Sequence, residues 1–97
     1  MYHEHMIKSF RHKGLQKFFS DGNAAGIQHN HIGRLEERLQ LLHVASIVED
    51  MNIPGWRLHK LHGNKSEHWA INVSGNWRIV FEFRDGNAYI VDYLDYH

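Results

Sequence analysis

The last three residues of the chain, Asp95, Tyr96 and His97, all carry side chains that can transfer protons or bind a phosphate. His59 and Arg78 lie earlier, each in a segment where apolar and polar side chains alternate as they do in β-strands. Antiparallel pairing of these segments with the closing one would bring an acid, a phenol, two imidazoles and a guanidinium together. The residue types and their placement therefore predict a reactive site on a sheet.

These groups match one reaction, the cleavage of RNA by attack of its own ribose 2′-hydroxyl on the adjacent phosphorus. A base must remove the 2′ proton, an acid must protonate the 5′-oxygen, and cations must stabilise the phosphorane. Imidazoles exchange protons near neutral pH, arginine presents a planar fork to phosphate oxygens, and tyrosine stacks on bases. Two ordinary interpretations stay open: Arg78 on a solvated strand face, and a polar C-terminus that keeps an edge strand soluble.

The ten histidines raise the question of a metal site. His29 and His31, and His59 and His62, come nearest to the spacing of metal ligands. Residues i and i+3 of a strand point to opposite faces, and no HExxH motif or cysteine completes a four-ligand set. We therefore interpret these histidines as surface or hydrogen-bonded groups and predict no metal and no cofactor.

Two other catalytic classes are excluded by their motifs. None of the serines lies in the sharp strand-to-helix turn that a Ser-His-Asp hydrolase uses for its nucleophile. The segment HGNKS at 62–66 is too short for a phosphate-binding Walker loop. The absence of cysteine excludes disulfides and thiolate nucleophiles.

Length, charge and hydropathy limit the number of domains and the kinds of partner that the chain can have. Ninety-seven residues predict one domain, which we place at 6–97, with 1–5 as a flexible extension or residues added by cloning. Eleven basic residues balance eleven acidic ones, which argues against binding nucleic acid by net charge alone, although histidines gain charge beside phosphates. No apolar run is long enough to span a membrane and no signal peptide opens the chain, so we expect a cytoplasmic protein that binds no membrane.

The first half of the chain has helical periodicity. After a short predicted strand at 6–10, leucine and phenylalanine recur at helical spacing in 12–19. A second helix is predicted from an N-cap at Asn30 to the NIPG segment at 52–55. Its apolar stripe leaves a charged group that we expect on a solvated face, namely Arg34, Glu37 and Arg38.

After Gly55 the period changes from 3.6 to 2. Strands are predicted at 56–63, 68–73, 77–83 and 88–97, with a tight hairpin turn at the Asp-Gly-Asn of 85–87. Helices followed by an antiparallel meander predict an α+β fold in which two N-terminal helices pack on an antiparallel β-sheet.

The chain resembles the HigB toxins, also called plasmid-maintenance killer proteins, of the RelE/ParE superfamily. The resemblance spans 6–97 and is carried by MIKSFRHKGL at 6–15, NWRIVFEF at 76–83 and YLDYH at 93–97. Between them, the segment at 57–73 is similar to the family's histidine strand, glycine-containing loop and aromatic strand. The resemblance implies two helices on a twisted antiparallel sheet and a ribosome-dependent mRNA endoribonuclease that arrests growth.

The resemblance also implies roles for individual residues. Its catalytic positions fall on residues already singled out by their chemistry: His59, Arg78, Asp95, Tyr96 and His97. RNA or phosphate contacts are expected from four more: Lys60, His62, Lys65 and Asn76. Asp95 or His97 is expected to act as the base, and His59 as an acid or as a group that orients the phosphate.

One departure from the family pattern concerns the histidine strand. Where relatives often read HPLKG, this chain reads HKLHG, so His62 replaces a lysine, and Lys60, in place of proline, should point to the other face. An imidazole grips phosphate only when protonated. We therefore expect cleavage that is weaker or more dependent on pH than in relatives, and a flat activity profile between about pH 6 and 8 would contradict this.

The implied partners are a HigA-type helix-turn-helix antitoxin, the decoding site of the small ribosomal subunit and mRNA. Operator DNA would be bound only through the antitoxin. The alternative is a RelE/ParE-fold toxin directed at gyrase, or a non-catalytic module that only binds an antitoxin. ParE-like chains generally lack the terminal Asp-Tyr-His, which favours the ribonuclease.

Overall fold

The computed structural model describes residues 6–62 and 68–96, so the predictions for 1–5, Lys65 and His97 lie outside the described residues. Within the described ranges, two α-helices precede four strands: α1 (Lys13–Asp21), α2 (Ile32–Val44), β1 (His59–Lys60), β2 (His68–Ser74), β3 (Trp77–Arg84) and β4 (Asn87–Asp95). The strands form one antiparallel sheet in the order β1-β2-β3-β4. This confirms the predicted α+β fold.

The second helix differs from its prediction at both ends. A single 3-10 turn, His29–His31, precedes α2, so Asn30 is not its N-cap. The helix ends at Val44 instead of continuing to residue 51. The carboxylate of Asp50 turns back to accept the backbone N–H of Ser46 at 2.9 Å, and this bond closes a separate 3-10 turn. Side chains that bond nearby backbone in this way compete with helix continuation.

Two predicted strands are shorter than the pattern suggested. The segment 6–10 forms only parallel bridges to β4, from Ile7 to Ala88 and from Phe10 to Val91, and it lies along the edge of that strand. Of the described part of the strand predicted at 56–63, only His59–Lys60 has regular strand structure, because Arg57 has a left-handed φ of 55° that interrupts the extended backbone.

The core lies between the two helices and one face of the sheet. Leu35, Leu39 and Leu42 of α2 are almost fully buried against Ile71 and Phe81 of the sheet. Burying each such side chain contributes roughly 1.5–3 kcal/mol, which makes this contact the main support of the sheet. No helix in the described part of the chain is long and apolar enough to cross a membrane.

The prediction that Arg38 lies on a solvated helix face is wrong. Its side chain is buried, its guanidinium lies 4.5 Å from the centre of the Trp56 ring, and its Nε donates a 2.8 Å hydrogen bond to the backbone oxygen of Asn72. Burial is the main cause that lowers the pKa of Arg38. The loop after α2 brings Trp56 back over the helix, and this non-local return is invisible in the helical pattern.

Candidate active site on the open face of the sheet

The helices cover one face of the sheet, here called the helix face, and leave the other, the open face, uncovered. Residues paired across antiparallel strands share a face. One row of the open face joins His59, Ala70, Val80 and Asp92, and the next row joins Asn72, Arg78 and Leu94. The register therefore brings His59 and Arg78 to the same face.

The guanidinium of Arg78 is held by three acceptors. Its Nη1 donates to the side-chain oxygen of Asn72 at 2.6 Å, to the backbone oxygen of Gly75 at 2.8 Å and to that of Trp77 at 3.2 Å. All three bonds use one nitrogen, which leaves the Nε and Nη2 donors as the edge that a phosphate would meet. No carboxylate of the described residues forms an ion pair with Arg78. Within the described ranges, the guanidinium is thus oriented by hydrogen bonds and has no carboxylate beside it that neutralises its charge.

The imidazole of His59 is exposed and fixed through one nitrogen. Its Nδ1 lies 2.8 Å from the backbone oxygen of Arg57. A carbonyl oxygen only accepts hydrogen bonds, so we assign the proton of the neutral ring to Nδ1, which leaves the Nε2 lone pair unprotonated. His59 and Arg78 are two strands and two residues apart, or roughly 12 Å between Cα atoms. Two long side chains can reach one ribose-phosphate across that distance.

Tyr96, the residue after β4, lies on the same face. Its backbone N–H donates to the oxygen of Asn76 at 2.8 Å, and its side chain is 50% exposed. It follows Asp95, which pairs with Trp77, so Tyr96 is a diagonal neighbour of Arg78 on the open face. The exposed Asn76 lies in the turn between β2 and β3 at this end of the sheet.

The structure does not bring the other described site residues to this point. Asp95 pairs with Trp77, whose ring packs 4.6 Å from that of Tyr93, so strand alternation directs Asp95 to the helix face. The ammonium of Lys60 lies 5.8 Å from the ring centre of Trp69, also on the helix face. The strand register thus places Asp95 and Lys60 on the face opposite that of Arg78.

His62 is exposed but lies towards the far end of the sheet from Arg78. The preceding residue, Leu61, donates its backbone N–H to His68, which pairs with Glu82. Glu82 is four residues, or roughly 13 Å, from Arg78 along β3. Lys65 and His97 lie outside the described residues, so their predicted roles stay predictions.

A cleft of about 250 Å³ lies on the open face beside this site. The residues that line this cleft are Arg11, Leu61, His68, Val80, Ile90, Asp92, Leu94 and Tyr96. A larger depression of about 760 Å³ lies on the helix side, with an apolar lining that includes Phe19, Leu41 and Val44. That lining offers no lysine or arginine for a phosphate, so the chemistry belongs to the smaller cleft and its neighbours.

The sequence reasoning missed Asn72. Its side chain orients Arg78, its backbone oxygen holds Arg38, and its backbone N–H donates to Trp56 at 2.6 Å. Its position between Ile71 and Val73 marks it as the polar side of a strand. Only the pairing of Asn72 with Arg78 across the two strands shows that the side-chain amide orients the guanidinium.

The histidines form no metal-binding group among the described residues. No set of three or more histidine, aspartate or glutamate side chains there is arranged to hold a metal ion. His31, one of the histidines considered as a ligand, is buried, with Nδ1 2.7 Å from the hydroxyl of Tyr93. Burial, and to a lesser extent the charge of Arg34, lower the pKa of His31 below its usual 6.5.

A family model described as "RelE-like toxin of type II toxin-antitoxin system HigB" matches residues 8–97. The chain belongs to this family. It is 42% identical over 92 residues to Endoribonuclease HigB of Proteus vulgaris, covering 95% of this chain and 100% of that protein. It is 32% identical over 94 residues to Toxin HigB-1 of Vibrio cholerae serotype O1, covering 95% of this chain and 98% of that protein. A toxin of a type II system has an antitoxin as its partner.

Proposed function

We propose that this HigB-family toxin is an endoribonuclease that cleaves mRNA on the open face of its sheet. The observation that carries the proposal is the Arg78 guanidinium, which three acceptors orient and which no described carboxylate neutralises. The name of the Proteus vulgaris relative supports the same activity. A preorganised cation of this kind stabilises charge that develops in a transition state.

The proposed reaction begins with the scissile phosphate against Nε and Nη2 of Arg78. The Nε2 lone pair of His59 takes the proton of the ribose 2′-hydroxyl, whose oxygen attacks the phosphorus. The bond from phosphorus to the 5′-oxygen breaks, and an acid returns a proton to that oxygen. The products are a 2′,3′-cyclic phosphate and a 5′-hydroxyl end.

This assignment changes two roles that the sequence suggested. The sequence named Asp95 or His97 as the base, but strand alternation directs Asp95 to the helix face, and the tautomer of His59 suits a base. His97, which the sequence named as a possible base, is proposed as the acid instead, because His59 takes the role of the base. Tyr96 is proposed to orient the nucleotide by stacking.

The proposed setting is the decoding site of a translating ribosome, where the toxin would cut mRNA inside codons. A HigA-type helix-turn-helix antitoxin is the proposed partner, and operator DNA would be bound through that antitoxin alone. The net charge of zero supports a ribosome-held substrate, because such a chain attracts free RNA only weakly.

The test is to induce the toxin in cells and to map RNA and DNA ends. Cuts inside codons from the wild type, and their loss in Arg78→Ala, are expected. Broken DNA without RNA cuts would favour a gyrase-directed toxin, and growth arrest without either would favour a non-catalytic binding module. Naked mRNA incubated with the purified protein, beside mRNA on programmed ribosomes, tests the dependence on the ribosome.

A further inference from the structure

The cleft on the open face is shaped by a bulge in β4. Val80 pairs with Asp92 but Glu82 pairs with Tyr89, so β4 carries one extra residue between these pairs. Ile90 lies there with a φ of 49°, an unfavourable conformation for a β-branched side chain, and its N–H donates to the Ser9 hydroxyl at 2.9 Å. Bulges re-aim side chains and are frequent beside active sites. This one adds the Ile90 side chain as a wall of the cleft.

The floor of the cleft is apolar. Leu61, Ala70 and Val80 form a small buried cluster on the open face, against which Leu94 packs. Tyr96 borders the cleft and is also the diagonal neighbour of Arg78. A flat apolar floor with an aromatic ring beside it suits a nucleobase, which loses little by leaving water and gains stacking contacts.

Two carboxylates of the described residues lie on this face, and they differ in the hydrogen-bond and ion-pair partners that they have. Glu82 receives Arg84 Nη2 at 3.1 Å and His68 Nε2 at 3.3 Å. Asp92 lies in the cleft, where its Oδ1 accepts the N–H of Tyr93 at 2.9 Å. Its Oδ2 lies 3.9 Å from Nε of the exposed Arg11, beyond hydrogen-bond distance. The carboxylate is therefore oriented by one oxygen and can accept through the other.

A carboxylate repels phosphate, so the part of a nucleotide that fits against Asp92 is the base. Amino groups of adenine, cytosine and guanine donate to a carboxylate. The N3–H of uracil lies between two carbonyl oxygens, and these repel a carboxylate that approaches the N3–H. We propose that Asp92 is a specificity-determining residue: it accepts a hydrogen bond from the amino group of a base beside the scissile phosphate and so disfavours uracil. This inference rests on the proposed cleavage function.

The sharpest comparison is cytosine against uracil, since the two rings are nearly equal in size. mRNAs that differ by one C or U at each position of the decoding-site codon would be cut on programmed ribosomes. At one position we expect the wild type to cut the C form about tenfold faster, as one good base contact allows. Asp92→Ala should bring the ratio near one by slowing cleavage at C. Glu82→Gln, which changes the other carboxylate of the open face, is the matched control and should keep the wild-type ratio.

A second readout needs no cleavage. Titration with cytidine 5′-monophosphate, followed by NMR, should shift the backbone amide of Tyr93, because that amide donates to Asp92. Uridine 5′-monophosphate should shift it less, and Asp92→Ala should remove the difference. Cleavage with equal rates for C and U at every position would overturn the base contact and leave the proposed function standing. If no RNA is cut at all, the proposed function fails, and equal NMR shifts would then overturn the base contact separately.

Discussion

The side-chain oxygen of Asn72 lies 2.6 Å from Nη1 of Arg78 on the open face of the sheet. The backbone oxygen of the same Asn72 accepts a 2.8 Å hydrogen bond from Nε of Arg38, which is buried on the helix face. One residue of β2 therefore connects the packing of α2 to the aim of the phosphate-binding arginine.

Asn72→Ala should lower kcat about 10- to 100-fold, because Arg78 loses an acceptor that orients it and a misplaced group costs about this much. Asn72→Asp keeps an oxygen at the same place but adds a carboxylate that neutralises Arg78, so this variant should lose activity as well. Single-turnover cleavage on programmed ribosomes measures both. If both variants lose activity in proportion to a fall in Tm, Asn72 matters for folding and not for positioning.

Arg78→Lys should lose about 10²- to 10³-fold in cleavage, the usual cost of removing a donor from an anion-stabilising site. Lysine keeps the positive charge, but a single ammonium cannot bond to Gly75 and Asn72 while it also presents two donors to a phosphate. The matched control is Arg84→Lys on the same strand, where the guanidinium lies over Tyr89. Unchanged cleavage by Arg78→Lys would show that positive charge alone, and not the guanidinium fork, is what matters, and a similar loss in both variants would show that the effect is not specific to Arg78.

Stability should depend on pH through His31. Burial lowers its pKa below 6.5, so the unfolded chain binds more protons than the folded one in mildly acidic solution. The contribution of His31 to the free energy of unfolding should therefore be complete above pH 6.5 and should decrease as the pH falls towards the lowered pKa. His31→Gln should flatten this part of the profile in urea unfolding. His29 is exposed in the same turn, so His29→Gln is the control. If the free energy of unfolding of His31→Gln depends on pH as in the wild type, a group other than His31 causes the dependence.

Deleting His97, or replacing it with Gln, should abolish growth arrest and leave the fold intact. The reason is chemical: the proposed acid must protonate the 5′-oxygen, and glutamine cannot do so. Growth after induction, with circular dichroism of the purified variant, provides the measurement. Full toxicity in either variant would remove the terminus from the mechanism.

The sequence predicted the elements better than it predicted their contacts. The change of period from 3.6 to 2 after Gly55 was enough for the fold class and for β2 and β3, because alternation is a local property. The end of α2 was missed because the capping bonds of Asp50 compete with the helix. Asn72 was missed because its role depends on its partner in the next strand, which no local pattern contains.

For the site too, local patterns predicted the strand positions of residues better than the contacts between them. The pattern placed Arg78 on the polar side of its strand, and the register places His59 and Tyr96 on that face with it. Asp95 was grouped with them by its position in the sequence, although alternation sends neighbouring strand residues to opposite faces. The bulge at Ile90, which forms the wall of the cleft, leaves no signal in a run of apolar residues.

The most direct test of 2′-hydroxyl attack is the chemistry of the RNA ends that the purified toxin leaves on programmed ribosomes. We expect a 2′,3′-cyclic phosphate on the upstream fragment and a 5′-hydroxyl on the downstream fragment, both absent with Arg78→Ala. A 3′-hydroxyl paired with a 5′-phosphate from the wild type would contradict it, because water and not the ribose would then have attacked the phosphorus.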